Sequence, residues 1–181
     1  MKKYLTILFL LLLPFNVFAE WTLNEKIVLY ALKDFKNKPE NNSFFDLSYA
    51  YAVIPRVITA GALGIKGTGG KGMTFVNGTL DSCIRLRGGG IGLAAGGQSY
   101  KEIIFFQNKE SYEKFKSGKS EWSGSAEAGG QFGEHGERPQ ASFIDGLYID
   151  IITIKGLMFD VSLGVQRFKY KPLNKNNECK W

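Results

Sequence analysis

The chain has 181 residues, with 23 lysines and arginines against 17 acids, a net charge of +6, one histidine and two cysteines. The single histidine, His135, and the lack of any C-x-x-C spacing argue against a metal site and against Ser-His-Asp or Cys-His catalysis. A modest charge without a basic run makes no case for nucleic acid, and the length fits one domain with a substantial core.

Lys2 and Lys3 precede an apolar run from Leu5 to Leu13, and Val17-Phe18-Ala19 offers small residues for cleavage, so residues 1–19 read as a secretory signal. The run is shorter than the ~20 residues a spanning helix needs. Loss of Lys2 and Lys3 lowers the net charge to +4. Export places Cys83 and Cys179 where a disulfide is permitted.

Residues 20–38 repeat apolar side chains at helical spacing: Leu23, Ile27, Tyr30, Ala31 and Phe35, with Val28 and Leu32 beside them. Lys26, Lys33, Asp34, Lys36 and Lys38 take the other side, and the predicted amphipathic helix ends before Pro39. It either packs on the domain or lies in a membrane interface with Trp21 and Leu23 in lipid. Periodicity does not decide between helix and strand for the next apolar segment, FFDLSYAYAVIP.

Residues 67–72 spell GTGGKG, the G-x-G-x-x-G pattern of dinucleotide loops. That chemistry needs a helix directly after the third glycine, to point its N-terminus at a pyrophosphate. Here Asn77-Gly78 between MTFV and TLDSCIRL predicts a type I′ hairpin instead, so Gly72 leads into a strand. The phosphate-loop pattern fails as well, with Ile65 where its first glycine belongs and Gly72 after Lys71.

If Val76 pairs with Thr79, one face carries Ile65, Lys71, Met73 and Phe75 against Leu80, Ser82, Ile84 and Leu86. The other carries Lys66, Thr68 and Thr74 against Asp81, Cys83, Arg85 and Arg87. Lys66, Arg85 and Arg87 then form a cationic group whose nearest acid is Asp81, either an anion site or an ordinary solvated face. Cys83 on this polar face is within reach of Cys179.

Gly88, Gly89, Gly90, Gly92, Gly96 and Gly97 leave the following strand nearly bare on one side. KEIIFFQN reads as a strand buried on both faces, and residues 109–117 as a short helix with Tyr112 and Phe115 inward. Residues 147–172 close the domain with two or three strands, and a shift of apolar parity before Phe168 and Tyr170 suggests a bulge near Gly164. Asp150 and Asp160 read as outward residues of an amphipathic sheet, not as a catalytic carboxylate pair. The polar tail, residues 173–181, is expected to be loose unless Cys179 tethers it.

The ordered pieces AYAVIP, GKGMTFVNG, the glycine run ending in Gly97-Gln98-Ser99-Tyr100, EIIFF, Phe115-Lys116-Ser117-Gly118 and Lys155-Gly156-Leu157-Met158, followed by Gly164, Gln166, Phe168 and Tyr170, resemble the SYLF lipid-binding domain family. The similarity, to the exported bacterial form of a family that includes actin regulators, runs from Ala50 to Pro172. The resemblance implies a lipid-binding domain over residues 44–172, no catalytic activity and no cofactor. Eukaryotic relatives bind phosphoinositides; for an exported protein the corresponding partner is anionic phospholipid. The chain departs from the family where Thr68-Gly69-Gly70 replaces an aromatic residue before Gly-Lys-Gly, and where GQFGEHGERPQ is unusually polar.

The expected fold is α+β and predominantly antiparallel β, a strongly curved or barrel-like sheet with an N-terminal amphipathic helix and a short helix near 109–117. The expected function is non-enzymatic binding of a lipid or membrane surface in the periplasm through Lys66, Arg85 and Arg87. Alternatives are a small outer-membrane β-barrel, whose ~10-residue strands the chain could supply, and, more remotely, a nucleotide-binding enzyme.

Overall fold

The structure, a computed structural model, describes residues 23–117, 122–123 and 142–181, without the side chains of 92–94, 122–123 and 157–165. The signal segment, Trp21 and His135 lie outside the described residues. Strand β1 (Leu23–Asn24) leads into helix α1 (Glu25–Lys36), a 3-10 turn (Pro39–Asn41) and helix α2 (Asn42–Leu47). Then follow β2 (Ala50–Ala62), β3 (Ile65–Val76), β4 (Thr79–Phe106), helix α3 (Lys109–Lys116), β5 (Trp122–Ser123), β6 (Leu147–Pro172) and β7 (Glu178–Cys179). The fold is α+β, mostly antiparallel sheet. Among the described residues no helix is long and apolar enough to cross a membrane.

Helix α1 starts where the Asn24 side chain accepts the Ile27 amide at 3.1 Å, and it carries Glu25 in its first turn and Lys33 and Lys36 in its last, which suits the helix dipole. Its inward stripe is Val28, Ala31, Leu32 and Phe35, whereas Ile27 and Tyr30 face out. Leu23 is buried in the core, so it does not enter lipid. The segment that periodicity left open divides into α2 and the start of β2.

The large sheet has the order β2-β3-β4-β6-β5, and β2 also pairs with the second half of β4. Strand β2 continues through Pro55. Its register shifts there against both neighbours, between Val53 and Arg56 on one side and between Ile54 and Val57 on the other. A proline donates no ladder hydrogen bond, so an irregularity is where a strand tolerates it.

This irregularity explains part of GTGGKG. A Cβ on Gly72 would stand 2.4 Å from the Val53 carbonyl oxygen, and one on Gly70 2.9 Å from a methyl of Ile54, whereas one on Gly67 would meet nothing within 4 Å. Two of these glycines therefore admit the kinked β2 backbone, and no helix follows Gly72. We expect Gly72→Ala to destabilise the fold by about 2–3 kcal/mol, as overpacking against unyielding backbone does, and Gly67→Ala to be near neutral. Equal urea midpoints for the two variants would refute the assignment.

The Asn77-Gly78 turn forms with both φ angles positive, 48° and 78°, and Val76 pairs with Thr79. The register then slips by one residue: Phe75 pairs with Leu80 but Thr74 with Ser82, leaving Asp81 as the extra residue of a bulge. Asp81 accepts hydrogen bonds from Tyr112 and Tyr170, each at 2.7 Å, with the Lys116 ammonium 4.0 Å away. Burial raises the Asp81 pKa, but those tyrosines and Lys116 outweigh it and hold the carboxyl below its ordinary value.

The core has two parts. One lies beneath α1 and α2 and holds Tyr51, Val53, Met73, Phe75, Ile103 and Phe105. The other holds Ile54, Val57, Ile84, Leu86, Ile104 and Phe106, with Tyr112 and Phe115 of α3 packed on it. KEIIFF is buried on both faces because each of its faces lines one part.

Cys83 corrects the sequence reading. The bulge turns it into the helix-covered core, where it bonds Cys179 with a Cα–Cα distance of 5.6 Å. The tail is accordingly docked. Strand β7 pairs with β1, Leu23 opposite Cys179, and Trp181 packs against the core.

Residues 147–172 form one strand, not two or three, and its register against β4 is unbroken from Lys155 to Pro172. No bulge lies at Gly164. The irregularity falls between Thr153 and Lys155, and Phe168 is apolar because Phe115 packs on it, with ring centroids 4.7 Å apart. Asp150 is buried, not outward. Lys38 donates to its two oxygens at 2.7 and 2.6 Å, and Asn41 donates to it at 2.8 Å, which ties the turn after α1 to β6.

Candidate anion-binding site

Directly opposed residues of antiparallel strands share a face. Arg56 of β2 opposes Lys71 of β3, Lys71 opposes Arg85 of β4, and Arg85 opposes Lys169 of β6. These four cations form one row across four strands, spanning about 14 Å at the usual strand spacing. The next row on the same face carries Ile58, Gly69, Arg87 and Arg167.

Burial differs along the row. Arg56, Arg87, Arg167 and Lys169 are exposed, Arg85 is half-buried, and Lys71 is buried. Among the described residues, Arg56, Arg85, Arg87 and Lys169 form no ion pair. Asp34 of α1 pairs with Lys101. Burial first, and the neighbouring Arg87 cation second, push the Arg85 guanidinium below its ordinary pKa.

Lys66 does not belong to this group. It opposes Gly90 on the opposite face of the sheet, where it is 6 % exposed, close to Thr59 and Thr68, whose hydroxyls are 3.0 Å apart. The predicted trio thus divides. Arg85 and Arg87 stay together, Lys66 leaves, and Arg56, Lys71, Arg167 and Lys169 join. The alternation Arg167-x-Lys169 repeats that of Arg85-x-Arg87, the period of one strand face, and is the one local signal that could have added residues of β6; Arg56 and Lys71 join only through the register.

The row lies between two apolar zones of its face. On one side is the core under α1 and α2, which the Val53–Met73–Cys83 row begins. On the other lie the β2–β3 turn and the glycines of β3 and β4. Cations set directly opposite one another repel. Arg56, Arg85 and Lys169, which form no ion pair among the described residues, are the members of the row placed to meet an external anion.

Beta cell expansion factor A of Aeromonas veronii is similar to this chain, 24 % identical over 135 residues, covering 74 % of the chain and 50 % of that protein. The chain thus spans about half the length of the curated relative it matches. No protein-family model and no solved structure matches.

Proposed function

We propose that this chain is a non-enzymatic, exported protein of the SYLF lipid-binding type that docks on anionic phospholipid in the periplasm. On this face Arg56, Arg85 and Lys169 meet the headgroup phosphates, with the buried Lys71 adding its charge from within the sheet. That four-strand row, with Arg87 and Arg167 beside it, is the observation that carries the reading. Cations spread over four strands suit a surface of many separate phosphates better than a single buried anion.

The double engagement of β4, its first half with β3 and its second with β2, supports a strongly curved, barrel-like sheet. An outer-membrane barrel fits less well. Its strands turn an apolar band outward at mid-strand, where this sheet places Arg85 and Lys169.

Flotation with vesicles of phosphatidylglycerol and phosphatidylcholine tests the proposal. Binding should rise with the anionic fraction and fall as salt is raised to molar strength. Arg85→Glu and Arg87→Glu should each weaken it roughly thirty-fold, since reversal removes two units worth ~1 kcal/mol each. Binding indifferent to lipid charge, or unaltered in both variants, would sink the headgroup contact.

A further inference from the structure

Beyond the cation rows the same face ends in apolar residues that are largely exposed. Ile65 opposes Ile91, and these side chains are 68 % and 74 % exposed; Ile58, in the Arg87 row with Gly69 between them, is 50 % exposed. Leu63 in the β2–β3 turn is fully exposed, at 101 %.

The turn itself has unusual chemistry. Leu63 and Gly64 have φ angles of 52° and 85°, so both central residues of this two-residue connection are left-handed, as at Asn77 and Gly78. Asparagine, aspartate or glycine is the ordinary occupant of the first position. A leucine there meets steric strain in its backbone and leaves its whole side chain in water. Neither feature helps the chain fold. The Asn77-Gly78 turn at the helix-bearing end shows what the same sheet uses where folding alone decides.

Taken with the proposed headgroup contact, on which it rests, this placement has a definite reading: we propose that the β2–β3 turn is a membrane-inserting tip. Leu63, Ile65 and Ile91 enter the acyl region of an anionic bilayer while Arg87 and the row behind it hold the phosphates. Ile91 and Arg87 are four residues apart on β4, about 13 Å at the strand rise. That exceeds the roughly 5–8 Å depth of one headgroup layer, so the tip reaches hydrocarbon when Arg87 sits at phosphate level. The positive charge behind the tip selects an anionic lipid surface over an uncharged apolar partner.

Leu63→Asn tests this without endangering the fold, because asparagine relieves the strained turn. The variant should melt at a higher temperature than the wild type, yet partition tenfold or more weakly onto phosphatidylglycerol vesicles, the loss expected when one large apolar side chain no longer leaves water. Leu63→Trp should show blue-shifted emission on those vesicles and quenching by lipids brominated in the acyl chain. If Leu63→Asn binds as the wild type does and binding remains salt-sensitive, insertion is wrong while the headgroup contact survives. If the wild type binds no vesicle, both fall. If Leu63→Asn instead abolishes self-association of the protein in solution, the tip is a contact between copies and the inference fails.

Discussion

Replacing both Cys83 and Cys179 by alanine lowers the unfolding free energy by about 4–5 kcal/mol, the chain-entropy value for a loop of this length. The bridge joins residues 96 apart. A protein of this size then loses about 10–20 °C of melting temperature. The size of the effect follows from where the bridge sits. Cys179 is one of only two residues of β7, and β7 pairs with only the two residues of β1, so hydrogen bonding alone holds this corner weakly. Both cysteines are 1 % exposed and share a core with Leu23, Val28 and Phe35. Opening the bridge therefore frees the tail, the start of α1 and the cover over β4 together. Calorimetry of the double variant, and of the wild type under reductant, checks this. A shift under about 3 °C, with increased amide exchange confined to residues 173–181, would mean that the disulfide only tethers the tail.

The elements that were legible from sequence are those with local causes. Asn24 caps α1, Asn77-Gly78 turns the hairpin, and Asn108 and Ser111 form a reciprocal capping box at α3. The face assignment depends on contacts that no local window contains. The bulge at Asp81 is held by Tyr112 and Tyr170, which lie 31 and 89 residues away. A one-residue slip exchanges the two faces of a strand. It sends Cys83 into the core, separates Arg85 and Arg87 from Lys66, and aligns them with Arg56 and Lys169. The kink at Pro55 acts likewise, since only its alignment with Gly70 and Gly72 shows why those glycines stand where a phosphate loop was suggested. On α1, spacing alone could not tell that Val28 and Leu32 face the sheet while Ile27 and Tyr30 do not.

Glu102 makes stability depend on pH near neutrality. It sits on β4 between Ile54 of β2 and Ile151 of β6, 3 % exposed, and its Oε1 has no hydrogen-bond partner among the described residues. Burial without compensation pushes its pKa up to about 7. The folded state binds this proton more tightly than the unfolded chain, whose carboxyl titrates near the ordinary value of 4.5. The contribution of Glu102 to stability is fully present below pH 4.5 and is lost as pH rises through 7, on the order of 3 kcal/mol in total. Asp81 does not blur this window. Its pKa is lowered from 3.8, so its contribution is lost only in stronger acid. Urea denaturation at pH 5 and pH 8 should show the wild type weaker at pH 8. Glu102→Gln should be nearly independent of pH across that interval and more stable than the wild type at pH 8. A wild-type slope that survives intact in Glu102→Gln would assign the effect to another group and leave the Glu102 carboxyl satisfied by a partner.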